Sequence, residues 1–96
     1  MSSYVVLARW TDQGIKGVKE TVRRAHQFRA DCERRGIRVH DLFWTQGRYD
    51  VAVILEAPDE QALMAETLAL GSLGNARTET LRAFTDVEME GILRKL

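Results

Sequence analysis

Ile37-Arg38-Val39-His40-Asp41-Leu42-Phe43-Trp44 and Tyr49-Asp50-Val51-Ala52-Val53-Ile54-Leu55-Glu56-Ala57 are two β-prone runs separated by Thr45-Gln46-Gly47-Arg48. Gly47 can supply the positive φ of a tight reversal, so the two runs read as an antiparallel hairpin. A turn on Gln46-Gly47 pairs Trp44 with Tyr49, Phe43 with Asp50 and Asp41 with Ala52. Side chains alternate along a strand, which puts Tyr49, Val51, Val53 and Leu55 on one face and Asp50, Ala52, Ile54 and Glu56 on the other. The first set is uniformly apolar and belongs under helices. The second mixes carboxylates with apolar groups and faces away from them.

The flanking sequence supplies the rest of the fold. Upstream, Tyr4–Trp10 is almost continuously apolar, as a central strand buried on both faces should be, and it ends at Thr11-Asp12-Gln13-Gly14. Ile15, Val18, Val22, Ala25, Phe28 and Cys32 then recur at spacings of three and four, forming one helical stripe. Lys16–Glu20 and Asp31–Arg35 are spaced as ion pairs on the wet face, and Gly36 stands at the C-terminal cap. Downstream of the hairpin, Asp59 is a natural N-cap for a second helix. Its stripe is read as Ala62/Leu63, Leu68/Ala69 and Leu73, with Gly71 and Gly74 closing it. Asn75–Phe84 reads as a fourth strand. Thr85-Asp86-Val87-Glu88 has the form of a capping box, opening an amphipathic tail helix over Asp86–Leu96 on Met89, Ile92, Leu93 and Leu96. Strand, helix, strand, strand, helix, strand predicts one α+β domain over residues 1–96, a ferredoxin-like βαββαβ unit whose right-handed crossovers place both main helices on one side of a four-stranded antiparallel sheet.

That arrangement leaves the other sheet face bare. Its expected residents are Val5, Leu7, Val39, Phe43, Ala52 and Ile54, interspersed with Arg9, Asp41, Asp50, Glu56, Thr78, Thr80 and Arg82. A patch of a few hundred Å² at ~25 cal/mol per Å² represents several kcal/mol of unused burial. A second copy, sheet against sheet with the tail helix clasping it, is the expected cover, and the enclosed space suits a small molecule. Composition narrows the partners. Fourteen Lys and Arg balance fourteen Asp and Glu, which argues against a nucleic-acid binder. One cysteine, Cys32, excludes an internal disulfide and a cysteine metal cluster, and no run approaches the ~20 apolar residues of a membrane span. A cytoplasmic protein is expected.

Four strings together resemble the GYD domain family: Thr11-Asp12-Gln13-Gly14, Trp44-Thr45-Gln46-Gly47-Arg48-Tyr49-Asp50, Glu56-Ala57-Pro58-Asp59 and Leu73-Gly74-Asn75-Ala76-Arg77-Thr78. The family's name comes from Gly, Tyr and Asp, which here are Gly47, Tyr49 and Asp50. The resemblance covers about Tyr4 to Phe84 and leaves the tail outside. It implies a bacterial protein with a fold of the dimeric α+β barrel type, and it implies no activity.

The chemistry-bearing candidates follow from the bare face. Asp50 is read as a carboxylate in the inter-sheet cavity, serving as base or ligand contact, against a structural carboxylate paired with Arg9 or capping amides. His40, near Asp41 and Asp50, is the other candidate for a proton-transfer role. Arg9, Phe43, Trp44, Tyr49, Asp50, Glu56 and Arg82 form the expected ligand set, with Trp44 and Tyr49 read first as an aromatic pair closing the hairpin. His26 and His40 lack metal-ligand spacing, so no metal is expected, and nothing calls for a cofactor. Cys32 reads as a small buried hydrophobe. The leading expectation is a homo-oligomeric small-molecule binder. The alternatives are an enzyme without organic cofactor, of oxygenase, isomerase or decarboxylase type by analogy of fold, and a non-catalytic regulatory module.

Overall fold

A computed structural model describes residues 1–96. The chain runs through β1 (Ser2–Trp10), α1 (Asp12–Lys16), a 3-10 turn (Val18–Glu20), α2 (Thr21–Arg34), β2 (Arg38–Trp44), β3 (Val51–Ala57), α3 (Glu60–Ser72), β4 (Ala76–Ala83) and α4 (Asp86–Leu93). The four strands form one antiparallel sheet in the order β2-β3-β1-β4. This is the α+β, ferredoxin-like architecture expected from the order of elements, with a C-terminal helix.

Tyr4 and Val6 of β1, Val53, Leu55 and Ala57 of β3, Phe28 and Cys32 of α2, Leu63 of α3 and Ile37 form the buried cluster. They are the alternate residues of the two central strands and the inward stripe of the two long helices. Val53 and Leu55 therefore lie under the helices as expected, while Ala52, Ile54 and Glu56 face the opposite way.

Five local readings are corrected. The hairpin closes two residues later than expected: Trp44 pairs with Val51, Phe43 with Ala52 and Asp41 with Ile54. A shift of two keeps Phe43 and Asp41 on the open face but puts residues 45–50 into the loop. A β-bulge at His40, between Val39 and Asp41, turns Val39 into the core and His40 outward. On β4 the assignment is inverted. Arg82 stands opposite Tyr4 and Thr80 opposite Val6, so Thr78, Thr80 and Arg82 share the helix side, and Arg77, Glu79 and Leu81 take the open face. Nothing in Ala76-Arg77-Thr78-Glu79-Thr80-Leu81-Arg82-Ala83 alternates cleanly enough to set its phase; the β1 register does.

The helical stripes are also shorter than expected. Gly17 separates α1 from the following turn, so Ile15 and Val22 fall out of phase with Phe28 and Cys32 and are about half exposed. On α3 the inward residues are Leu63, Glu66 and Leu70, whereas Leu68 and Leu73 face solvent. A buried glutamate on that stripe escapes any search for apolar periodicity.

Candidate functional site

The string Gly47-Arg48-Tyr49-Asp50 sits in the loop between β2 and β3 and ties three strands together. Gly47 has φ +112°, a conformation open to glycine and strained for other residues. Past it the chain folds back, the Thr45 amide donating to Asp50 O at 2.9 Å and the Thr45 hydroxyl to Tyr49 O at 2.7 Å. The Asp50 amide donates to Ala8 O at 2.8 Å, and its carboxylate accepts from the Trp10 amide at 2.9 Å. The Asp50 side chain thus continues the β1–β3 ladder one step beyond its last backbone pair.

Tyr49 leaves on the open face rather than beside Val51, and it does not meet Trp44. Its hydroxyl donates to Glu79 of β4 at 2.7 Å, while the Arg9 guanidinium of the intervening β1 lies 5.2 Å from its ring centre. The bond to the Glu79 carboxylate holds the phenol above its ordinary range. Trp44 lies on the other side of the sheet, its indole N–H donating to Thr21 Oγ1 of α2 at 2.9 Å. Arg82 is likewise on the helix side. It stacks over Phe84 at 4.4 Å and Tyr4 at 5.6 Å and reaches Glu88 of α4 at 3.5 Å.

Five members of the expected ligand set, Asp50 included, therefore lie on or at the rim of the open face, and two, Trp44 and Arg82, lie on the helix side. Arg9, Tyr49 and Asp50 gather at one end, and Phe43 stands towards the β2 edge. Glu56 lies at the opposite end, 2.6 Å from His40. Asp50, just before β3, and Glu56, near its far end, are six residues apart along an extended chain, roughly 20 Å. The two proton-transfer candidates, Asp50 and His40, are therefore not assembled into one constellation within a chain. Between the two polar ends lie Val5, Leu7, Ala52, Ile54, Phe43 and Leu81, of which Phe43, Ile54 and Leu81 are each over two-fifths exposed.

A second junction joins Thr11-Asp12-Gln13-Gly14 to the end of α3. The Thr11 hydroxyl donates to Gly74 O at 2.6 Å and accepts from the Gly14 amide, and the Thr11 amide donates to Asn75 O. Gln13 donates to Leu73 O and Asn75 Oδ1. Gly14 packs so closely that a Cβ would collide with the Asn75 carbonyl. The short strings along this chain therefore act as junctions between strands and between loop and helix.

The profile of the GYD domain family matches residues 4–93. The chain belongs to the GYD domain family. The match runs through α4, so the tail helix lies inside the family's span rather than beyond it. A protein of Thermus thermophilus, named glutamine synthetase and cystathionine beta-lyase binding protein, is 31% identical over 84 residues, covering 86% of this chain and 88% of that protein. No solved structure matches at a significant level. For a GYD chain with such a relative, a binding or regulatory role is the functional class that these likenesses suggest. No helix is long and apolar enough to cross a membrane.

Sequence reasoning missed Glu66. It is 1% exposed, and its Oε1 accepts from Arg35 Nε at 2.9 Å. Arg35, expected to pair with Asp31 on the wet face, reaches across to α3 instead. The available signal was a lone acid between Leu63 and Leu70 at helical spacing, readable only once the phase of α3 is known.

Proposed function

We propose that this GYD-domain protein is a homo-oligomeric binding protein that docks onto a metabolic enzyme and regulates it. The observation that carries this reading is the 31% identity, over nearly the full length of both chains, to a protein named for binding glutamine synthetase and cystathionine β-lyase. Likeness at that coverage supports a shared mode of action more than a shared partner, so the enzyme class is the part to be measured.

The surface supports the same reading. The open face sets apolar side chains at its centre and charges at both ends, the anatomy of an interface core with a polar rim. Facing copies would cover Phe43, Ile54 and Leu81 and leave the far side of each protomer, with α4, free for a partner. On α4 and the segment before it, Phe84, Val87, Met89 and Leu93 are all substantially exposed. The small molecule first expected between facing sheets is a finer form of this proposal, with Arg9, Tyr49 and Asp50 as its polar contacts.

The test is sedimentation velocity of the purified protein mixed with glutamine synthetase and, separately, with cystathionine β-lyase from the same source. Co-sedimentation with at least one enzyme, together with a change in its kinetics, is expected. Independent migration in both mixtures overturns the reading.

A further inference from the structure

We propose that the cleft between α2, α3 and the covered face of the sheet is a binding site for a small organic ammonium ion with an aromatic or branched apolar body. This site lies on the opposite side of the sheet from the open face, and it does not rest on the enzyme-docking reading.

Two helices laid side by side on a sheet normally close over it. Here they leave a cavity of about 330 Å³, whose walls include Trp10, Phe28, Trp44 and Leu70. The cleft is half open to solvent, and a concave, mostly apolar wall with a few polar groups is the usual form of a small-molecule site. The volume is at the lower end of ligand pockets, enough for a body of about ten heavy atoms.

The polar groups bordering the cavity select the charge. Glu66 and Asp31 both line it. Glu66 is 1% exposed, and its one protein hydrogen bond, from Arg35, goes to Oε1. No fully sealed side-chain oxygen or nitrogen in the chain lacks a partner, so Oε2, which has no protein partner, keeps a small accessible surface. Asp31 repeats the arrangement: Gln27 and Arg34 both engage Oδ1 and leave Oδ2 free. Two arginines also line it, Arg23 paired with Glu20 at 2.8 Å and Arg24 donating to the Gly14 carbonyl at 3.4 Å. Free carboxylate oxygens and aromatic faces together attract a cation, through charge-assisted hydrogen bonds and the ring quadrupole.

The chain's two tryptophans, Trp10 and Trp44, both line the cavity, so their fluorescence reports its occupancy. The experiment titrates the protein with 2-phenylethylamine and with 3-phenylpropionate, which has the same ring on a chain of similar length but ends in a carboxylate. Saturable quenching or shift by the amine, with the carboxylate about tenfold weaker or more, is the expected result. Glu66→Gln keeps an acceptor for Arg35 and is expected to weaken the amine about tenfold while leaving the carboxylate unchanged. Ala69→Phe fills the cavity, in which Ala69 is a wall residue, and is expected to abolish the signal for both. Equal affinity for the two compounds, tighter binding of the carboxylate, no binding of either, or amine binding unchanged in Ala69→Phe would each overturn the proposal. The comparison of the two compounds uses the unaltered chain, so it stands even if a variant fails to fold.

Discussion

Asp50 accepts from the Trp10 amide with its side chain while its own amide donates to Ala8, so one residue closes the end of the β1–β3 ladder. Truncation to alanine strands the Trp10 donor in a partly buried setting, and Asp50→Ala is expected to cost about 1–3 kcal/mol in denaturant unfolding. Asp50→Asn keeps an acceptor oxygen and should retain most of that. Equal losses in the two variants would assign the effect to charge rather than to the hydrogen bond. Cys32 makes a separate prediction. Burial, reinforced by the Glu66 carboxylate, pushes its thiol up from 9.0 to about 12. The folded chain holds a proton that the unfolded chain releases, so this contribution is whole below about pH 9 and fades as pH rises towards about 12. Over that interval the wild type is expected to lose stability more steeply than Cys32→Ala; parallel pH profiles would refute the assignment. A thiol so placed also stays unreactive towards disulfide reagents until the chain unfolds.

At the scale of elements, α4 is held by its start. The Thr85 hydroxyl accepts from the Glu88 amide at 3.2 Å, and the Glu88 carboxylate accepts from the Thr85 amide at 3.0 Å. Thr85→Ala is expected to destabilise the helix by about 1 kcal/mol, read as faster amide exchange in α4. The Thr85 amide, with help from the Thr85 hydroxyl and from Arg82, holds the Glu88 carboxyl below its ordinary 4.5. A lowered value means stability present above pH 4.5 and lost as pH falls through the lower folded value. Amide signals of α4 should therefore weaken before those of β1 on acidification, and Glu88→Gln should remove that early step. The capping box was legible in Thr85-Asp86-Val87-Glu88 because it is local, four residues whose hydrogen bonds close on themselves. The stripe of α3 was not. Leu63, Leu68, Leu70 and Leu73 fit more than one helical phase, and the choice that buries Glu66 depends on Arg35 arriving from α2.

For the whole molecule, the open face is the feature that a single copy leaves unsatisfied. Phe43, on the β2 edge, is more exposed than Ile54 or Leu81, and in the proposed assembly of facing sheets Phe43→Glu is expected to weaken self-association by at least about tenfold in sedimentation equilibrium, since a carboxylate there would be buried unpaired against the second copy. An unaltered mass would refute facing sheets as the mode of assembly. The order of elements, the composition of the central strands, the loop glycine and both helix caps could be read from the sequence, because each depends on residues near one another in the chain. Which face Thr78, Thr80 and Arg82 take, where Tyr49 reaches, and that a bulge at His40 turns Val39 inward were decided by pairing with strands tens of residues away. A period of two carries no phase of its own. The Glu66–Arg35 pair and the cavity beside it belong to the same class: they exist only where two helices, individually ordinary, come to rest on one sheet.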